Sequence, residues 1–178
     1  MSPEEFRKVF LPEGRRLYAL AFRYLNNREE AEDAVQEVMM KLWDERNKTA
    51  RYENPAAWCT TVTRNYCIDL LRRRKMTAQD DISVAKDLIE AGNDIFSKSE
   101  GSEAASLING IVERMKEPYR SAVILRDIEG YSYEEAAEAM QTSVGTLRTI
   151  LSRARKSIRE EMERKYNYGT REDKRAAQ

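Results

Sequence analysis

Residues 132–159, SYEEAAEAMQTSVGTLRTILSRARKSIR, leave room for little except two helices joined by a tight turn. Ser132 followed by Glu135 forms a capping box, in which each end satisfies an orphan donor of the other. Ala136, Ala137 and Met140 provide small or flexible apolar surface for a close helix crossing. Gln141-Thr142 makes the turn, and Ser143 is placed to cap the next helix. Val144, Leu147, Leu151, Ala154 and Ile158 then recur at helical spacing. The opposite face carries Thr146, Arg148, Thr149, Ser152, Arg153, Arg155 and Lys156. A helix with a buried back and a hydroxyl-and-arginine front can enter a major groove, where arginine reads guanine edges or holds phosphates. Basic amphipathic helices also occur in bundles that never touch DNA, so the rest of the chain has to decide.

With seven glycines and four prolines in 178 residues, and no alternating strand pattern of any length, the chain is expected to be all-α. The first helical stretch runs from about Pro3 to Leu25 and is interrupted near Pro12, because proline lacks the amide that would continue the ladder. A second helix, Arg28 to about Arg46, buries Ala31, Ala34, Val35, Val38 and Leu42. Its other side is acidic, with Glu29, Glu30, Glu32, Asp33, Glu37, Asp44 and Glu45 against Arg28 and Lys41. Charge near a helix N-terminus accounts for the earlier acids. The later ones suit a docking surface for a basic partner equally well.

Asn54-Pro55 is a helix start, with asparagine as cap and proline in the first turn. The third helix, Pro55 to about Lys75, ends in Arg72, Arg73, Arg74 and Lys75. Trp58, Val62, Asn65, Asp69 and Arg72 fall on nearly one face. A basic helix end complements the dipole. Cations beside a stacking group are also what single-stranded nucleic acid requires. Composition turns acidic and serine-rich between residues 76 and 103, as in a flexible linker. Helical patterning resumes over Ala104 to Met115 and again from Pro118 to Gly130. After Met162 little apolar content is left, and a frayed tail is expected over 164–178.

Charge and composition narrow the chemistry. Thirty-one basic and 31 acidic residues cancel, so any attraction to nucleic acid is local. Histidine is absent, which removes the commonest general base and metal ligand. Cys59 and Cys67 would be separated by about 12 Å along a helix, too far for a disulfide. No phosphate loop or nucleophile elbow is present. No cofactor or small-molecule substrate is expected. The start MSPEEF is not a signal peptide, and no apolar run is long enough to insert into a bilayer. A cytoplasmic protein is expected.

Three segments, in order, resemble the extracytoplasmic-function (ECF) class of sigma-70 family RNA polymerase sigma factors. EEAEDAVQEVMMKLWDE resembles the family's core-binding helix. NPAAWCTTVTRNYCIDLLRRRK resembles its promoter-melting helix, and RMKEPYRSAVILRDIEGYSYEEAAEAMQTSVGTLRTILSRARKSI resembles its C-terminal module. The resemblance implies two small helical domains: a region 2-like bundle over 1–75 and a region 4-like helix-turn-helix over 104–163, joined by the acidic linker 76–103. It implies that Asp33, Gln36, Glu37 and Lys41 bind the clamp helices of the polymerase largest subunit. Trp58, Asn65, Asp69, Arg72 and Arg73 would serve the minus-ten element, with Asn65 at the base of a pocket for a flipped base. Thr146, Arg148, Thr149, Ser152 and Arg153 would contact the minus-thirty-five element. Further partners implied are the flap of the second polymerase subunit, promoter DNA and an anti-sigma factor. The linker would thread the polymerase channels as a mimic of nucleic acid. Ile150 departs from the basic residue many relatives have, so promoter preference cannot be copied from them. A stand-alone helix-turn-helix regulator would leave Asn65 and the linker without a role. A helical adaptor would leave the arginine-rich helices without one.

Overall fold

A computed structural model of the chain describes residues 1–49, 54–80 and 103–176. Among the described residues every regular element is helical. Helix α1 (Pro3–Phe10) starts on a Ser2–Glu5 capping box with proline in its first turn. Pro12 then forces a short 3-10 turn, Leu11–Glu13, before α2 (Gly14–Leu25). Asn26 closes α2 in the left-handed conformation, φ 49°, which asparagine tolerates because its short polar side chain bonds locally. Asn27 caps α3 (Arg28–Asp44) by accepting from the Glu30 amide at 3.1 Å. A four-residue helix, α4 (Arg46–Thr49), follows α3.

Asn54 accepts from the Ala57 amide at 3.2 Å and starts α5, Pro55–Asp80. This helix runs five residues beyond Lys75, where the change in composition suggested a stop. Nothing in Met76-Thr77-Ala78-Gln79 breaks a helix, and the Thr77 hydroxyl donates back to the Arg73 carbonyl at 3.1 Å. Residues 81–102 of the acidic linker lie outside the described residues. The chain resumes with α6 (Glu103–Arg114) and α7 (Tyr119–Val123), which passes into a π-helical turn at Ile124–Ile128. Gly130, with φ 72°, lets the chain leave that turn. Helix α8 (Tyr133–Ala139) and helix α9 (Val144–Ala176) complete the chain. The tail expected to fray from residue 164 is therefore helical to Ala176. No proline interrupts it, and tertiary anchoring of the first turns lets propensity carry the rest.

Two cores result. The smaller gathers Phe6, Phe10, Leu17, Val38, Leu42 and Cys59, with Trp43 and Trp58 packed on its edge. The larger is shared by both halves of the chain. Leu20, Ala21, Tyr24, Leu25, Ala31, Ala34 and Cys67 meet Val112, Ala122–Leu125, Tyr131, Ala136, Ala137, Leu147, Leu151 and Ala154. Alanines supply much of this surface, which allows α8 to lie close against α5. The two modules read from sequence as tethered are thus joined through one apolar interior. Both cysteines are buried and free, and burial pushes each thiol up to about 12. Leu147 is fully buried where α9 enters this core. Leu147→Ala should destabilise the chain by about 2–5 kcal/mol, read as a lowered urea midpoint in chemical denaturation.

Candidate nucleic-acid and polymerase interface

The helix-turn-helix is built by caps at both ends of its turn. Ser132 accepts from the Glu135 amide at 3.0 Å, while Glu135 accepts from the Ser132 amide at 2.7 Å. Gln141 takes the left-handed conformation, φ 54°, and the Thr142 amide reaches back to the Ala137 carbonyl at 2.9 Å. Ser143 then accepts from the Thr146 amide at 3.0 Å and starts α9. This fixes the direction in which the front of α9 points.

That front separates into free and engaged groups. Thr146, Arg148, Thr149, Ser152 and Arg153 are all exposed, as the spacing predicts. The Ser143 hydroxyl donates to that of Thr146 at 2.8 Å. The Thr149 hydroxyl donates to the Gly145 carbonyl at 3.3 Å, which spends its proton and leaves its oxygen to accept. The Arg148 guanidinium lies 5.2 Å from the centre of the Tyr133 ring, which Arg126 also covers at 4.6 Å. Stacking of this kind restricts a long side chain before it meets a ligand. Tyr133 thus orients Arg148, a role visible in sequence only as an aromatic next to the cap. Arg155 is engaged within the fold. It makes two bonds to Asp127, at 2.6 and 2.9 Å, which tie α9 to the π turn and drive its pKa upward. Ile150 packs partly buried against the shared core, so the departure at this position serves packing.

On α5 the predicted face divides along its length. Trp58 and Val62 pack on the smaller core, whereas Asn65, Asp69, Arg72 and Arg73 are exposed. Asp69 pairs with Arg72 at 3.2 Å, and Arg74 pairs with Glu30 of α3. The Asn65 carbonyl accepts from Arg64 at 3.0 Å, which leaves its amide nitrogen to donate outward. Arg64 itself was not singled out by spacing. On α3, Asp33, Gln36, Glu37 and Lys41 are exposed together beside Met40, an exposed apolar side chain. The three groups of residues stand on three helices and do not converge on one pocket.

Three exposed faces, one of them on a helix-turn-helix, thus stand on a scaffold whose regular elements among the described residues are all helices. Residues 10–77 match the family model of sigma-70 region 2, and residues 107–158 match that of sigma-70 region 4. The chain belongs to the sigma-70 family and is a sigma factor of the ECF class. It is 27% identical over 149 residues to the ECF RNA polymerase sigma factor SigE of Mycolicibacterium smegmatis, covering 82% of this chain and 56% of that protein. It is 29% identical over 147 residues to the ECF sigma factor EcfG of Rhodopseudomonas palustris, covering 80% of this chain and 76% of that one. The sigma factor RpoE of Bartonella quintana, solved in complex with the anti-sigma factor NepR, superposes with a TM-score of 0.67. That match is 26% identical and covers 90% of this chain and 98% of RpoE.

Arg16 bonds Glu135 with both guanidinium nitrogens, at 3.1 and 3.2 Å. Hydrogen bonds from Arg16, opposed by partial burial and assisted by the Ser132 amide, hold the Glu135 carboxyl below its ordinary value of 4.5. A carboxylate with a lowered folded pKa stabilises the fold fully above the unfolded value, and that contribution fades as pH falls through the folded one. Glutamine at 135 keeps the capping box and removes the charge. The stability gap between the parent chain and Glu135→Gln, measured by urea unfolding, should therefore be constant at neutral pH and narrow below about pH 4.5.

Proposed function

We propose that this sigma factor binds core RNA polymerase through α3 and directs it to promoters that it reads at two elements and opens at one. Asp33, Gln36, Glu37 and Lys41 meet the clamp helices of the largest subunit, with acidic charge steering association and Met40 adding apolar contact. Asn65 holds a base flipped from the minus-ten strand, and its outward amide donates to that base. Asp69 orients Arg72, which with Arg73 follows the adjacent phosphates, and Trp58 braces the start of the helix from within the core edge. Flipping costs a few kcal/mol of unstacking, so binding of the extruded base shifts the duplex toward the open form without ATP.

Arg148 and Arg153 take guanine edges or phosphates of the minus-thirty-five element, while Thr146 and Ser152 donate or accept there and the Thr149 oxygen accepts. An apolar groove of about 630 Å³ between α6, the π turn and α9, lined by Ile108, Val123, Ile128, Ile158 and Met162, suits the flap of the second subunit. An anti-sigma factor is the expected antagonist. The chain has no catalytic centre of its own and works in the cytoplasm beside polymerase. No helix among the described residues is long and apolar enough to cross a membrane.

The observation that carries this reading is the simultaneous exposure of the acidic α3 face, Asn65 on α5 and Arg148 on α9. Transcription in vitro with purified core polymerase on a genomic fragment library, with sequencing of the RNA starts, tests it. New starts at a common promoter motif are expected, and their absence would end the proposal. Asn65→Ala should spare binding to upstream duplex and reduce strand opening, read by permanganate reactivity of unpaired thymines. Arg148→Ala should weaken binding to the upstream element by about 1–3 kcal/mol if the guanidinium reads a base, measured by fluorescence anisotropy.

A further inference from the structure

The hydroxyls on the front of α9 are not equivalent. Thr149 stands in the second turn of the helix, within the part of a recognition helix that reaches base edges. Its side chain is exposed, but its hydroxyl donates to the Gly145 carbonyl one turn back, at 3.3 Å. A hydroxyl has one proton to give and two lone pairs with which to receive. The Thr149 proton is committed inside the helix, and only the lone pairs are left for a ligand. Thr146 has the opposite polarity. The Ser143 hydroxyl donates to the Thr146 oxygen at 2.8 Å, so Thr146 keeps its own proton to give. Arg148 and Arg153 are exposed on the same front, and a guanidinium can only donate. Thr149 is thus an acceptor set among donors.

We infer that Thr149 selects the base it meets by this polarity: it takes the exocyclic amine of adenine or cytosine and rejects guanine and thymine. The inference rests on the promoter-reading role proposed above, and adds the class of base that one residue of that face accepts. In the major groove the donors are adenine N6 and cytosine N4, while guanine O6 and thymine O4 are acceptors. Accepting from an amine lets Thr149 keep its bond to Gly145 and gain one to the base. Donating to a base carbonyl requires the hydroxyl to rotate away from Gly145, which exchanges one bond for another and gains none. Facing a base carbonyl without rotating sets two lone-pair oxygens against each other where water is excluded, and both lose hydration without return. The donors around it have the reverse preference. Arg148 and Arg153 suit guanine, so the arginines and the threonine of one helix face divide the base edges between them.

The test uses the full chain bound to core polymerase. Fragments that the parent selects from a genomic library define its upstream element. Each adenine and cytosine of that element is then replaced by its analogue without the exocyclic amine, purine or 2-pyrimidinone. Affinities of the parent, Thr149→Val and Thr149→Ser are measured by competition in fluorescence anisotropy. Valine keeps the shape and methyl group of threonine, and serine keeps the hydroxyl. At one position the parent should lose roughly three- to ten-fold when the amine is removed, as expected for one hydrogen bond. Thr149→Val should bind the natural element with that same loss and show no further loss on the analogue, while Thr149→Ser should follow the parent. Fragments selected by Thr149→Val should relax at that position alone. Three results would each overturn the inference: no position where amine and hydroxyl depend on each other, a dependence at guanine or thymine, or a preference kept by valine and lost by serine, which marks the methyl group as the reader. A defined element without the dependence removes the acceptor role and leaves the promoter reading in place. If the parent selects no element, both fall.

Discussion

Helix α2 is asked to bury its apolar stripe on two sides at once, and most of the molecule follows from that demand. Leu17 closes the smaller core with α1 and α3, while Leu20, Ala21, Tyr24 and Leu25 form a wall of the larger one. The α7 segment and the π turn meet that wall from the other half of the chain. Neither half has an interior of generous size, and small domains are thinly stabilised. Sharing one interior removes apolar surface from water that two separate modules would leave exposed.

The functional faces are arranged by what this shared interior leaves outside. Asp33, Gln36, Glu37 and Lys41 lie on the side of α3 turned away from Ala31, Ala34 and Val38. Arg148, Thr149 and Ser152 lie opposite Leu147, Leu151 and Ala154 in the same way. Each of these exposed faces is therefore the reverse of a packing surface. A change in either core would tilt the exposed face as well as lower stability. The polar groups between the two halves act differently, since Tyr24, Ser121 and Arg64 satisfy one another there. Buried polar atoms bonded in this way specify a register that apolar contact alone would not.

The local signals were legible because each needs only neighbours in sequence. The capping box at Ser132, the interruption at Pro12, the Asn54 cap and the 144–158 stripe all belong to this kind. The pairing of Asp69 with Arg72 is another case, since three residues along a helix bring charges together. The exposure of Thr146, Arg148, Thr149, Ser152 and Arg153 on α9 followed from the same periodicity. What the pattern missed depended on partners distant in the chain. Arg155 sits among the other basic residues of α9 in sequence, but Asp127, 28 residues earlier, claims it. Ile150 breaks the basic pattern because the core reaches that side of α9. Trp58 shares a stripe with Asn65, but that stripe packs on the smaller core at Trp58 and faces solvent at Asn65. The helix beyond residue 163 was lost to a rule about apolar content, which judges packing and not propensity.

From sequence alone came the helical class, the breaks between most helices, the helix-turn-helix, the three motifs and the family. These depend on backbone periodicity, capping and local charge, which neighbouring residues settle among themselves. Only the tertiary structure decided that the two halves share one core, that Arg64 is drawn between them while Asn65 stays outside, and which arginines remain available. Those outcomes turn on contacts across about 50 to 120 residues of chain, as in the pairs Arg64–Glu117 and Arg16–Glu135. No local pattern encodes such contacts, because the partner of a charge is chosen by whichever surface packing brings against it.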